Sequence, residues 1–323
     1  MTVKPMTHTT PTENRRSLPD LSDPSLFEPV GAEEKSKAEF IRPSMTYWQD
    51  AWRRLCRDKM AMLGLVVILL IFFMALCGPL LSKYSYDAQN FMIANEFPSW
   101  EHLFGTDMFG RDLFVRVMYG ARISLAVGMM ASLINLTIGV IYGSISGFVG
   151  GRTDDIMMRI VDTIRSIPVM IYVILLMVII GPGLKSIFIT LGISYWTNMA
   201  RIVRSEVMRV KNEEFVLAAR TIGASPRRIL LRHLIPNAMG PILVTLTFCI
   251  PNAIFAEAFL SFVGLGVNAP MASWGVLSSD AMNSLMIYPY QLFFPALAIS
   301  VTILAFNFFG DGLRDALDPR LRK

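Results

Sequence analysis

Three cysteines and three histidines in 323 residues leave little material for redox or metal chemistry. Cys56, Cys77 and Cys249 are scattered, two of them inside apolar runs, so neither a disulfide framework nor a zinc site is indicated. Charge is scarce too. Asp, Glu, Lys and Arg make up 17% of the chain against 53% hydrophobic residues, a balance that excludes an ordinary soluble globule and indicates a polytopic membrane protein. No G-x-x-x-x-G-K-[ST] occurs; residues 181–186, GPGLKS, have the letters without the spacing, which excludes ATP hydrolysis by that route. H-E-x-x-H and G-x-S-x-G are absent as well, which argues against a membrane-bound enzyme.

What the chain has is a series of long apolar runs. Residues 1–44 precede them as a polar stretch rich in Pro, Ser, Thr and Glu, expected to be a disordered tail with one short apolar island at Leu26, Phe27, Pro29 and Val30. It is no signal peptide, because the first apolar run begins too late. Residues 47–59 read as an amphipathic helix suited to the headgroup region, with Trp48 and Trp52 four apart and Arg53, Arg54, Arg57 and Lys59 behind them. The expected division is a tail with this interfacial helix over 1–58, then a six-helix transmembrane domain over 59–323.

The first span is 62–81, about 20 residues for a hydrocarbon core of about 30 Å. The second, 123–149, repeats Ala131, Asn135, Gly139, Gly143, Gly147 and Gly151 every four residues. In lipid, helices associate through close backbone approach, so this small face predicts tight packing on another helix. Residues 152–166 are amphipathic, and 168–180 alone are too short to cross; the third span is expected either to recruit part of the preceding segment or to tilt little, with a kink at Pro168. The fourth, 184–203, carries Ser194, Thr197 and Asn198. Polar groups at this depth face protein or a water-filled path, so Ser194 and Asn198 are candidates either for lining a translocation route or for interhelical hydrogen bonds. The fifth span, 241–264, is expected to kink at Pro251 and holds Glu257, the only acid well inside any span. A buried acid needs a partner or its proton; a role in the path and a structural bond to a neighbouring helix both fit. The sixth is 290–310.

Lys and Arg crowd the segment before the first span, the segment between the second and third, residues 204–232 and the C-terminus, whereas 267–289 have none. With six spans these basic regions share one side, which the positive-inside rule makes cytoplasmic, both termini included. The net charge of +5 is thus a matter of loop asymmetry and calls for no nucleic acid.

Between the fourth and fifth spans lies a polar interruption at 213–237, EEFVLAARTIGASPRRILLRHLIPN. Glu213 and Glu214 favour a helix N-terminus, Ala218 and Ala219 keep one face flat, and Gly223 permits a sharp turn. Ser225 can cap a second helix with Pro226 at its first position, and Pro236 is expected to stop it. Small residues of this kind suit a helix that a partner protein grips, whereas a helix lying on lipid would want bulky apolar ones.

This stretch resembles the EAA loop of ATP-binding-cassette (ABC) importer permeases, with Ala218, Ala219, Gly223 and Pro236 where the pattern has them. Leu217 stands in place of its Glu and His233 in place of its Ile, while Glu214 supplies an acid three residues earlier. Residues 104–112, FGTDMFGRD, and 257–266, EAFLSFVGLG, resemble the oligopeptide/dipeptide/nickel branch, and 310–319, GDGLRDALDP, resembles the C subunit of peptide permeases. The resemblance covers nearly all of 47–323. It implies an all-α type I importer permease in the bacterial cytoplasmic membrane, forming half of a translocation path for oligopeptides or dipeptides. The implied partners are a second permease chain, two ATPase subunits that bind ATP and Mg²⁺, and an extracytoplasmic substrate-binding protein; this chain itself would hold no cofactor or metal. Glu214, Ala218, Ala219, Gly223 and Pro236 would be contact and turn residues for the ATPases, and none catalytic. A nickel permease of the same branch is the nearest rival. An ion-gradient-driven transporter would need intramembrane ionisable residues, and only Glu257 answers.

Overall fold

The computed structural model describes residues 46–318, and every regular element among them is helical. The expectations for residues 1–44 and for the last five residues lie outside the described part. From Tyr47 onward the described residues belong to one compact unit.

Helix α1, Tyr47–Leu55, buries Ala51 and Leu55 and exposes Trp48 and Trp52. It packs on the last helix of the chain, and the Tyr47 hydroxyl donates to the Leu317 carbonyl at 2.9 Å. It stops short of residue 59 because Asp58 caps the next helix, accepting from the Met60 and Ala61 amides at 2.9 and 3.2 Å. That helix, α2 (Lys59–Leu81), is about 34 Å long, enough to cross the hydrocarbon core. Leu69, Phe73 and Leu76 are exposed along it, the signature of a peripheral helix facing lipid. Near its far end Pro79 removes the amide that the Ala75 carbonyl would accept from. Arg122 fills the gap: its Nε donates to the Ala75 carbonyl at 2.5 Å and its Nη2 to that of Leu76 at 2.6 Å.

Helix α3, Leu113–Val149, begins ten residues earlier than the expected 123. The polar residues that hid its start are all engaged. Asp112 caps it through the Val115 amide at 2.9 Å, Arg116 sits 3.5 Å from Asp107 and 3.8 Å from Asp280, and Arg122 is bound to α2. The preceding FGTDMFGRD segment folds onto this cap, with Asp107 accepting from Arg111 Nε at 2.6 Å and His102 Nδ1 2.8 Å from Asp112.

The small face of α3 lies against α6 (Leu184–Val210), the most extensive helix pair in the fold. A Cβ on Gly139 would fall 2.5 Å from that of Met199, and one on Gly147 would fall 2.7 Å from the Arg204 carbonyl oxygen. At Gly143 it would run into the Ala200 backbone. Gly151 is not part of this face; α3 ends at Val149, and Gly150 and Gly151, with φ of +74° and +56°, turn the chain.

At the third crossing the kink falls at Pro168 as expected, but no part of the amphipathic segment is recruited. Helix α4 (Gly151–Arg165) and helix α5 (Val169–Ile180) meet at 81° around Pro168, so the amphipathic segment does not lengthen the apolar one. Alone, α5 rises about 18 Å, short of a full crossing. Polar contacts hold α4 beside α6 instead: Asp154 with Arg204 at 2.5 Å, Asp162 with Arg201 at 2.5 Å, and Asn198 with Arg165 at 3.3 Å.

Among the described residues four helices are long and apolar enough to span a membrane, namely α2, α3, α10 (Met239–Phe262) and α12 (Tyr290–Leu317), or five if the bent pair counts as one. Three short helices between α6 and α10, namely α7 (Glu214–Thr221), α8 (Pro226–Ile229) and α9 (Ile235–Asn237), form the loop described below. Helix α12 runs seven residues past 310, since Gly310 and Gly312 let it press on Thr247 of α10 and Ala61 of α2. Within the 264–289 connection, α11 (Trp274–Ala281) buries Trp274, whose Nε1 donates to the Val117 carbonyl at 2.9 Å.

Replacing Arg122 by Met should lower the detergent melting temperature, corresponding to about 1–3 kcal/mol for unpaired carbonyls. In a Pro79→Ala background, where residue 79 regains its amide, the same replacement should cost clearly less. Equal losses in both backgrounds would show that Arg122 does not serve the proline gap.

Candidate functional site

The polar interruption after α6 folds as α7 (Glu214–Thr221), a turn, α8 (Pro226–Ile229), a π-helical turn over Leu230–Leu234, and α9 (Ile235–Asn237). Gly223 makes the turn with φ +80°, a conformation that residues with a Cβ adopt at a cost, and the Ala224 amide bonds back to the Ala219 carbonyl at 3.0 Å. Ser225 caps α8 through the Arg228 amide, and Pro226 stands at its first turn. Pro236 does not stop the helix. The chain widens by one residue before it, the Ile235 amide reaching the Leu230 carbonyl five positions back. After it, Asn237 Nδ2 satisfies the His233 carbonyl at 2.6 Å and the path continues into α10. A widened turn accommodates the ring that would clash in an ordinary one.

One side of this loop is core. Val216, Ala219, Ile229 and Leu234 pack with Val207 and Val210 of α6 and Ile242 of α10. Ala219 is 5% exposed, whereas Ala218, its neighbour 100° around the helix, is exposed, so the two do not share a flat outer face. The other side is apolar and open: Phe215, Leu217, Ala218, Leu231 and Ile222, the last 84% exposed. Glu214, Gly223 and Pro236 are exposed as well, and so are Arg227, Arg228 and Arg232. The sequence pattern located the loop but not the exposure of Phe215, Leu217 and Ile222, which depends on what α6 and α10 cover.

Behind the loop a cavity of about 780 Å³ opens between α6, α10 and the end of α12. Asn198 lines it, together with Thr245, Cys249 and Asn252 of α10. Those three recur at i, i+4 and i+7, a polar stripe in a span that was legible in the sequence and passed unremarked. The three path candidates are not brought together. Ser194 is buried, its Oγ donating to the Thr190 carbonyl at 2.5 Å while its own carbonyl accepts from the Tyr172 hydroxyl at 3.0 Å. Glu257 is 0% exposed and lines none of the cavity; Ser124 of α3 and Ser261 donate to its carboxylate at 3.0 and 2.8 Å. The Ser124 oxygen in turn accepts from the Trp274 amide at 3.2 Å, so the carboxylate joins α3, α10 and α11.

Sequence reasoning also missed the tie between the loop's stem and α4. Arg204 holds Asp154 through both carboxylate oxygens at 2.5 Å, and Ser146 of α3 donates to the same carboxylate at 2.5 Å. Lys211, just before the loop, donates to the Phe148 carbonyl at the end of α3. Among the described residues no group of three His, Cys, Asp or Glu is placed to hold a metal ion.

A carboxylate that fastens helices behaves differently from one that carries protons. Glu257→Gln, which keeps acceptor capacity toward one serine, should retain most of the chain's stability and transport. Glu257→Ala should destabilise by about 2 kcal/mol, seen as a lower melting temperature, by leaving buried hydroxyls unpaired. Loss of transport in Glu257→Gln with unchanged melting would contradict the fastening role.

Comparison with known proteins agrees with this architecture. Residues 139–323, more than half of the chain, match the family described as binding-protein-dependent transport system inner membrane component, and residues 46–98 match the N-terminal TM domain of oligopeptide transport permease C. The oligopeptide transport system permease protein OppC of Bacillus subtilis is 52% identical over 93% of this chain and 98% of its own length. The dipeptide transport system permease protein DppC of the same organism is 52% identical over 91% and 92%. OppC of Escherichia coli K12 is 44% identical over 85% and 92%. An inward-facing structure of the MetNI methionine ABC transporter superposes with a TM-score of 0.53 at 20% identity, covering 64% of this chain and 96% of the matched one. The chain therefore belongs to the binding-protein-dependent transport system inner membrane components, with the fold of a type I ABC importer permease.

Proposed function

We propose that this chain is one of two permease subunits of an ATP-driven peptide importer, and that the exposed face of residues 213–237 is where a separate ATPase grips it. The observation that carries the coupling role is that open apolar face in a chain with no nucleotide-binding sequence of its own. Exposed large apolar side chains and exposed arginines on one loop are the composition of a protein interface. Energy then arrives mechanically. Two ATPases, which bind the ATP and Mg²⁺, close on the loops; α6 and α10 carry the displacement to the cavity beside Asn198, which lies on the path between the two permease chains. Glu214, Ala218, Gly223 and Pro236 act at the contact and its turns, and Ala219 acts from beneath by keying α7 to α6.

Peptides are the cargo favoured here over nickel, because the relatives are named for oligopeptides and dipeptides. An external binding protein delivers them. An ion-gradient mechanism is disfavoured by the enclosure of Glu257 among serines. In this reading α6 and the short α5, turned from α4 at Pro168, complete six spans, residues 1–58 form the tail and interfacial helix ahead of the permease domain at 59–323, and both termini share the cytoplasmic side with the loop.

Ala218→Arg should leave the chain folded and in the membrane yet reduce recovery of the ATPases with it, and peptide uptake, by about tenfold or more, the effect of a charge in a small-residue contact. Ala219→Arg should instead prevent accumulation of the chain, since residue 219 is core. Normal ATPase recovery and uptake in Ala218→Arg would place the docking surface elsewhere.

A further inference from the structure

The loop at 213–237 adjoins the end of α3 through Lys211 and Phe148, whereas the last turns of α2 meet the start of α3: a Cβ on Gly78 would overlap the Met118 sulfur. Helix α2 therefore leaves the hydrocarbon core at Leu81 on the membrane surface opposite the loop. At that contact a groove of about 330 Å³ opens, walled by Leu81, Leu103, Phe114 and Met118. Its back is stiff. Phe114 packs edge-on to Phe104 at 4.9 Å between ring centres, and Phe104 stacks on Phe294 of α12 at 3.8 Å.

The depth and surroundings of this groove point to lipid. Leu69, Phe73, Leu76 and Leu80 are exposed at spacings of four, three and four, one face of α2 that meets acyl chains along its length, and the exposed Leu81 carries that surface into the groove. At the mouth stands Trp100, 98% exposed, an amphipathic ring of the kind that settles at headgroup level. The polar groups of the mouth carry both signs. Lys83 is exposed just past Ser82, the cap of α2; Glu101 accepts from the Tyr84 hydroxyl at 3.2 Å; and Asp112 is buried, 2.8 Å from His102 Nδ1.

This charge pattern selects among headgroups. An ammonium and a carboxylate at one mouth match a lipid that carries a phosphate and a primary ammonium, each of which gains a charge-assisted bond. A glycerol headgroup would pair its phosphate with Lys83 but leave Glu101 facing an anion, and a choline headgroup has no N–H to donate to Glu101. We propose that the groove binds one phospholipid of the leaflet opposite the loop, an acyl chain lying against Leu81 and Phe114 and an ethanolamine headgroup held by Lys83 and Glu101. The site is independent of the cargo and coupling readings above.

The test uses the whole transporter complex in proteoliposomes of equal parts phosphatidylethanolamine, phosphatidylglycerol and phosphatidylcholine. A photo-crosslinking p-benzoylphenylalanine replaces either Leu103, in the groove, or Leu69, on the open lipid face, and the lipid adducts are identified by mass spectrometry. Relative to residue 69, residue 103 should capture phosphatidylethanolamine over each of the other two lipids by about threefold, the scale of an exposed ion pair. Glu101→Lys should turn the preference at residue 103 toward phosphatidylglycerol, a reversal that folding damage at an exposed side chain does not produce. The same lipid ratios at residues 103 and 69, an unchanged ratio in Glu101→Lys, or capture of a protein chain in place of lipid at residue 103 would overturn the site.

Discussion

The close approach of α3 and α6 sets the rest of this structure. Gly143 meets the Ala200 backbone and Gly147 the Arg204 carbonyl, while Gly139 leaves the room that the Met199 side chain fills. In a bilayer there is no hydrophobic exclusion to drive helices together, and dispersion between tightly fitted surfaces must suffice. Contact this close leaves no slack, so a shift of one helix along or across the other has to be a shift of both.

That rigidity explains the arrangement of polar ties at the loop end. Arg204, Arg201 and Asn198 extend α6's grip to α4, and Lys211 closes on the end of α3. Asp154 sits where three helices converge, bonded from α3 and from α6 at once. The loop at 213–237 is therefore planted on a stem already joined to two other helices, and its buried side continues the same core into α10. Whatever pulls the exposed side moves a framework and not a single helix. At the opposite end, Glu257 with Ser124 and Ser261, and Asp107 with Arg111 and Arg116, perform the same service with carboxyl groups enclosed among their partners.

Proline gives the fold its departures from straight helices, and at Pro79 the loss is made good by a side chain from another helix. Pro79 leaves a carbonyl that Arg122 takes, Pro168 turns α4 away from α5, and Pro236 sits after a widened turn, next to Asn237, whose side chain holds the His233 carbonyl. A sequence reader sees the proline and expects an end or a kink. Which of these happens depends on a donor that arrives from another helix or from a neighbouring side chain, and that donor cannot be assigned from local pattern.

Periodicity and composition alone determined that this is a helical membrane protein, that one helix carries a face of small residues, that Gly223 turns and Ser225 caps, and that residues 213–237 interrupt two apolar runs. These are legible because they follow from backbone geometry and hydrophobicity, which act over a few residues. Tertiary structure alone decided that Ala219 is core while Ala218 is surface, that Glu257 is fastened to serines away from the cavity, and that α3 starts at Leu113. It also decided that Thr245, Cys249 and Asn252 face a common space with Asn198. In each case the outcome depends on which distant helix covers a residue or supplies its hydrogen-bond partner, and burial by a distant helix leaves no trace in the local spacing of residues.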